Sequence, residues 1–444
     1  MSYSLQAQGL QRPLTEEGEA SSSYSPQHPS LFYPTLATEL AAHPSLPPVW
    51  KASTAEAVVF RSSVVRCIDS LFNIQLIDQS YHVSTLTTLL RTVPNEQIVL
   101  EKDTTQVAIR YFMDALLATA FDLYRGPKAV SIVGYDKVSA AYRQRDDSVI
   151  KAAVLSVSTQ AQLHRLLASL EPTQREYVHL KKAFYDRQRK YQYSARTSMQ
   201  DTLFKIRHAL QLYRWLFHFK LDRFLLVNIA AATAQYRVQD RVLVAMRTIV
   251  GKPSTPTPRF ASYCNQLILY PYWYVPSSIA IGEYLSKIKR NPHWLDDRNM
   301  QVIDAKGRVV DHHQLRWSQF NAAYFPYTIR QSTGCDNALG VLKFDIETPY
   351  GVYLHDTNHK AAFLQPSRFL SHGCIRLEEP LLLGNLLLGG GLDTTYLQSC
   401  YVDKKPVVRV LPEPLAVFCL YLPAAIDERG QLQLYRDVYR RFKN

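Results

Sequence analysis

The run Gly351-Val-Tyr-Leu-His355-Asp356 is strand-like and ends in a histidine, and Ser371-His372-Gly373-Cys374-Ile375-Arg376-Leu377 places a cysteine directly after a glycine, two residues beyond a second histidine. Residues 356–370, with Pro366 among them, give the chain room to return, so His355 can lie beside Cys374. Only a thiolate attacks, and a free cysteine has a pKa of about 8.5. A neighbouring imidazole can take that proton and hold a thiolate–imidazolium pair. Gly373 lets the backbone approach a substrate closely. Amides at Gly373 and Cys374 then suit an oxyanion hole, in which one lost donor costs roughly 3–4 kcal/mol of barrier. Plainer readings stand beside this one: Cys374 as a buried free thiol, and His355 as a hydrogen-bonded histidine at a strand end. His355, His359, His372 and Cys374 are zinc donors by type, but their spacing matches no common zinc pattern.

Outward from this segment the chain has 444 residues, 47% of them hydrophobic, enough for one or more substantial cores. This composition excludes a collagen-like, coiled-coil or wholly disordered chain. The formal charge of +13, from 51 Lys+Arg against 38 Asp+Glu, favours an anionic partner without choosing among nucleic acid, lipid and wall polymer. The longest apolar runs, Leu381–Leu392 and Leu415–Ile426, are interrupted by glycine or proline. Both are shorter than the ~20 residues that span a bilayer, so no transmembrane segment is expected. The start Met-Ser-Tyr-Ser-Leu-Gln has neither a basic nor an apolar signal region. Six scattered cysteines without a CxxC pair are too few for a disulfide scaffold and leave the compartment open.

Residues 1–50, proline-rich with the run Ser21–Ser23, read as a disordered tail, with a docked strap near Leu31-Phe32-Tyr33. From 51 to 220 the periodicity is helical. Ile109, Phe112 and Leu116 share a face that Gly126-Pro127 ends, and Leu163, Leu166, Leu167 and Leu170 form a second stripe. Thr173-Gln-Arg-Glu176 has the pattern of a capping box that opens a helix with Tyr177, Leu180 and Phe184 inward. Beyond residue 221 the pattern turns to strands: Phe224–Ile229, Ala234–Val238, Val242–Val250, and a hairpin over residues 301–310 with a glycine turn.

His355, fifteen residues, then Ser-His-Gly-Cys-Ile-Arg resembles the signature of the L,D-transpeptidases with a YkuD-type catalytic domain. Val250–Phe260 resembles that domain's strand-to-loop motif. Tyr270-Pro-Tyr-Trp-Tyr-Val-Pro276 resembles its Asn-Pro-Tyr-Trp-Asn-Val-Pro motif, with tyrosine at both asparagine positions. Asp336-Asn-Ala-Leu-Gly340, Lys343-Phe344 and Tyr353–Thr357 resemble the larger YcbB-like members, whose proline before Asp-Asn-Ala is Cys335 here. The stretch from Asp114 to Gly126 resembles the helical scaffold domain of that branch.

The resemblance implies an α+β protein: a tail over 1–50, a helical scaffold over 51–220, a β-rich, sandwich-like catalytic domain over 221–405, and a C-terminal extension over 406–444 packing on it. It implies Cys374 as nucleophile, His355 as general base, the Asp356 carbonyl as its orienting partner, and the amides of His372, Gly373 and Cys374 as oxyanion donors. Arg376, whose planar guanidinium suits a carboxylate, Ser371, Tyr353, Trp273 and Asn337 fall at the substrate groove, and Tyr270 and Tyr274 alter it. The implied reaction is transfer of a peptidoglycan stem acyl group through a cysteine thioester to form 3→3 cross-links in the periplasm. The alternatives are water as acceptor, giving an L,D-carboxypeptidase, and a silent wall-binding scaffold. Implied partners are peptidoglycan stem peptides, with carbapenem β-lactams as inhibitors and no nucleic acid; neither cofactor nor metal is needed.

Overall fold

A computed structural model describes residues 30–77, 79–91, 102–126, 147–191 and 197–442; the tail over 1–29 and Pro127 lie outside them. The N-terminal part is helical: α1 (Pro34–Ala42), α2 (Ala55–Asn73), α3 (Val83–Arg91), α4 (Lys102–Arg125), α5 (147–155), α6 (Gln160–Leu170), α7 (Arg175–Tyr191) and α8 (Thr197–Phe217). The expected stripes are inward: Ile109, Phe112, Leu116, Leu163 and Leu167 are buried in one core. Gly126 closes α4 at φ +76°, a left-handed position that glycine adopts without a Cβ penalty.

Two expectations for this half change. The tail is structured from residue 30. The amides of Phe32 and Tyr33 donate to the Asp114 carboxylate at 2.8 and 2.6 Å, and Ala37, Leu40 and Trp50 enter the helical core. Two backbone donors and apolar burial together offset the ordering cost that composition suggested was prohibitive. The capping box sits one helix earlier, where Thr159 and Gln162 cap α6 reciprocally. Because α7 begins at Arg175, Glu176 instead accepts from Arg237 Nη1 at 2.7 Å and ties the helix to the sheet domain.

The C-terminal part is built on β1 (Arg223–Asn228), β2 (Thr233–Val238), β3 (Arg241–Gly251), β4 (Phe260–Leu269), β9 (Leu342–Ile346), β10 (Leu354–His355), β11 (Phe369–Ser371), β12 (Ile375–Leu377) and β13 (Val407–Leu420). They form one sheet in the order β11-β3-β12-β10-β9-β4-β13-β1-β2, and a further β2–β3 pairing closes it on itself. The β-rich, sandwich-like half expected from the sequence is built from this one sheet, folded round an enclosed core. Alternation along β1 divides two cores. Leu225 and Val227 point into the sheet's interior, whereas Phe224 and Leu226 face α7 and α8, meeting Leu210, Trp215 and Phe418. The helical and β-rich halves thus share a hydrophobic core.

The expected C-terminal extension is instead part of the sheet's middle. β13 pairs parallel with β1 and antiparallel with β4, so its burial is set by strands on both sides. Between β4 and β9 lies a small inserted unit. Its strands β5 (Trp273–Tyr274), β6 (Met300–Ile303), β7 (Val309–Val310) and β8 (Thr328–Gln331) pair in the order β5-β8-β6-β7, over a separate core containing Ile288, Val302, Trp317 and Ile329.

Candidate active site

β10 and β12 lie side by side and parallel, with Leu354 opposite Ile375 and His355 opposite Arg376. Leu354 and Ile375 are buried in the sheet's interior. Period-two alternation therefore turns Tyr353, His355, Cys374 and Arg376 to the other face. The pairing brings the two motifs of the sequence together across the fifteen intervening residues.

His355 is buried, and its Nδ1 bonds the backbone carbonyl of Asp356 at 2.5 Å. A carbonyl only accepts, so Nδ1 carries the proton and Nε2 keeps its lone pair. Asp356 is itself fixed. One carboxylate oxygen accepts from the Val341 amide at 3.0 Å, and the other pairs with Lys360. Gly340, at φ +60°, passes so close that a Cβ there would fall 2.2 Å from Asp356 Oδ2.

Cys374 is partly exposed. Burial raises its pKa, while hydrogen bonds from Tyr353 and the charges of Lys343 and Arg376 oppose the rise. Burial, reinforced by the Arg376 charge, lowers the His355 pKa to about 3. Both shifts favour neutral forms, and no hydrogen bond joins the thiol to the imidazole among the described residues. Burial thus works against the thiolate–imidazolium pair suggested by the sequence, since it penalises both charged forms.

The turn before the sulfur is held from several sides. Gly373 sits at φ +119°, open only to glycine, and its carbonyl accepts from Thr257 Oγ1 at 2.8 Å. Ser371 is buried. Its hydroxyl donates to the Cys374 carbonyl at 2.6 Å and accepts from the Gly373 amide at 3.1 Å. That overturns two expectations. Ser371 braces the turn instead of meeting substrate, and the Gly373 amide is already occupied. The amides of His372 and Cys374 have no such acceptor among the described residues.

Tyr353 lies beside Cys374 and Trp273, and burial raises its pKa. Lys343 Nζ sits 4.6 Å from the centre of the Tyr353 ring. Arg376 makes no hydrogen bond or ion pair among the described residues, and its buried Nε lacks a partner. Asn337 is elsewhere. It is 1% exposed, with Nδ2 donating to the Ser332 and Pro271 carbonyls and Oδ1 accepting from the Leu339 amide. It shapes a loop and cannot touch a ligand. Tyr270 also leaves the groove: it is fully buried and bonds the Tyr396 carbonyl at 2.7 Å. Its φ of +48° suits the asparagine of the resembled motif better than a tyrosine. Tyr274 is exposed on the inserted unit.

Several contributors escaped the sequence. Glu283 of the inserted unit accepts from His372 Nε2 at 2.7 Å, and a groove of about 530 Å³ beside Gly373 is lined by Thr255, Arg259, Tyr350, Val352 and Arg441. These come from distant segments with no local signature. The spacing of Asp356 and Lys360, four apart, was a readable signal. Cys335 and Cys400, 65 residues apart, form a disulfide that no spacing rule marks.

Residues 222–390 match the YkuD family, the L,D-transpeptidase catalytic domain. A Haemophilus influenzae protein named by inference as an L,D-transpeptidase is 32% identical over 214 residues, 48% of this chain and 43% of that protein. The chain therefore spans less than half the length of that relative. Solved structures similar to it include an L,D-transpeptidase from Mycobacterium smegmatis, at 19% identity and TM-score 0.22, covering 45% of this chain and 58% of the other. Another is the catalytic domain of an E. faecium L,D-transpeptidase acylated by ertapenem, at 14% identity and TM-score 0.19, covering 42% of this chain and 95% of the other. Over residues 222–390 this chain carries a YkuD-type L,D-transpeptidase catalytic domain.

Proposed function

We propose that this protein is a YcbB-like peptidoglycan L,D-transpeptidase that forms 3→3 cross-links through a thioester on Cys374. The observation that carries the reading is the locked tautomer of His355, whose free Nε2 shares a sheet face with the Cys374 thiol at the end of the Gly373 turn. Sγ attacks the carbonyl of the third stem residue as its proton passes to His355 Nε2. The C–N bond to the terminal D-Ala then breaks, and the same proton goes to the leaving amine. The side-chain amine of a second stem attacks the thioester, forms the new amide and returns the thiol. Since burial disfavours both charged forms, proton transfer accompanies attack instead of preceding it.

The amides of His372 and Cys374 receive the oxyanion. Arg376, unpaired beside the sulfur, meets a stem carboxylate or carbonyl, and Tyr353 with Trp273 of the inserted unit forms one wall. Arg259 and Arg441 beside the groove suit an anionic wall polymer. The Cys335–Cys400 disulfide fits an oxidising compartment, which supports a periplasmic site of action. No helix among the described residues is long and apolar enough to cross a membrane. Carbapenems, attacked by the same thiol, are the expected inhibitors.

The test is muropeptide analysis of sacculi incubated with the protein. New 3→3 dimers that Cys374→Ala fails to make support the reading. Trimmed stems without dimers indicate the carboxypeptidase, and unchanged sacculi indicate a silent scaffold.

A further inference from the structure

Away from the sulfur, the inserted unit gathers three imidazoles round one carboxylate. His293 Nδ1 and His313 Nε2 each lie 3.1 Å from Asp296 Oδ2, and His312 Nε2 lies 3.1 Å from Asp296 Oδ1. They come from two separate turns, Pro292–Arg298 and His312–Gln314. Both turns are held independently of the cluster. The Asn291 side chain accepts from the His293 amide, Asp311 caps the second turn through the His313 amide, and the Trp317 indole donates to the His312 carbonyl.

From this we infer a transition-metal site: His293, Asp296 and His313 bind a divalent ion of the zinc type, with His312 on the other oxygen of the same carboxylate. Imidazole and carboxylate are the ligand classes of zinc, nickel and copper(II) rather than of magnesium or calcium. Bonds of about 2.0–2.2 Å in a tetrahedron put neighbouring donor atoms roughly 3.3–3.5 Å apart, close to the 3.1 Å from His293 Nδ1 and from His313 Nε2 to Asp296 Oδ2. The donor atoms of His293, Asp296 and His313 all lie within 4.8 Å of one another. His293 and His313 are exposed and free to close the remaining gap. His312 supplies an independent pointer. Its Nε2 is buried and faces Asp296 without the geometry of a hydrogen bond, so a buried donor atom is left for another partner. A bound ion would pin the two turns together within the unit that reaches the site through Glu283 and Trp273.

The experiment is calorimetric titration of Zn²⁺ into the untagged full chain carrying Cys374→Ser, which removes the site thiol as a competing ligand. One ion per chain is expected to bind at micromolar concentration or tighter and to raise the melting temperature. His293→Ala with His313→Ala should weaken binding at least tenfold. Asp296→Asn, which preserves side-chain shape, should do the same if the double variant fails to fold. Absence of a stoichiometric event, or equal binding by the folded variants, overturns the site.

Discussion

The corner that carries Cys374 and the unit inserted between β4 and β9 approach the same site with opposite physics. In the corner most polar groups are buried and already matched: Ser371 to the turn, Thr257 to Gly373, Asp356 to Val341 and Lys360. The proposed nucleophile and base stand on or beside paired strands, where a shift of one residue would turn them to the other face. The inserted unit has its own core and meets the corner through Glu283 on His372 and Trp273 on Tyr353. Its charged cluster around Asp296 is mostly exposed. Geometry that must hold within a fraction of an ångström sits on the sheet, and the more exposed charged groups sit on the insert.

Removing the base separates the two regions most sharply. His355→Ala should lower kcat by roughly 10²–10⁴-fold, with circular dichroism unchanged, because the strand pairing does not depend on the ring. The depressed His355 pKa, about 3, has a signed consequence. Protonation removes the base only well below the ordinary 6.5, so kcat/KM should stay level down to about pH 5. The raised Cys374 pKa means that alkylation should accelerate with pH through a midpoint above about 8.5. A fast plateau below pH 7 would restore the ion pair.

The disulfide joins the loop before Asn337 to the segment entering β13, where Thr333 Oγ1 also donates to the Lys404 carbonyl. Closing a loop of this length is worth about 4 kcal/mol by the chain-entropy argument. Cys335→Ser with Cys400→Ser should therefore lower urea stability by roughly 2–4 kcal/mol, with a smaller effect on the rate of acylation. Gly340→Ala should do the reverse. The added Cβ displaces the Asp356 carboxylate and with it the carbonyl that orients His355, so a loss of about 10–100-fold in kcat should outweigh the change in melting temperature. The smallest effect belongs to the insert: Glu283→Gln weakens the contact to His372 and should change KM severalfold with kcat nearly constant. A large fall in kcat there would mean that the insert belongs to the catalytic geometry.

Much of this corner was readable because its information is local. Strand patterning placed β1, β2, β3 and the hairpin within a residue or two, and the motifs around His355 and Cys374 mark the two side chains that the sheet turns to one face. What escaped was non-local. Ser371 and Asn337 look like ligand-contacting residues in a motif, yet burial and hydrogen bonding turn both into internal braces. β13 is separated from β1 by about 180 residues of chain, and only the assembled sheet shows it as an interior strand. The pairing of Cys335 with Cys400, the meeting of Glu283 with His372, and the gathering of His293, His312 and His313 on Asp296 likewise depend on tertiary contacts that periodicity does not record.

The most direct test of Cys374 as nucleophile is intact mass spectrometry after incubation with a carbapenem. The account predicts one stoichiometric adduct on the folded chain, absent from Cys374→Ala and formed much more slowly by His355→Ala. A folded wild-type chain that gains no mass, or an adduct that persists in Cys374→Ala, would contradict it.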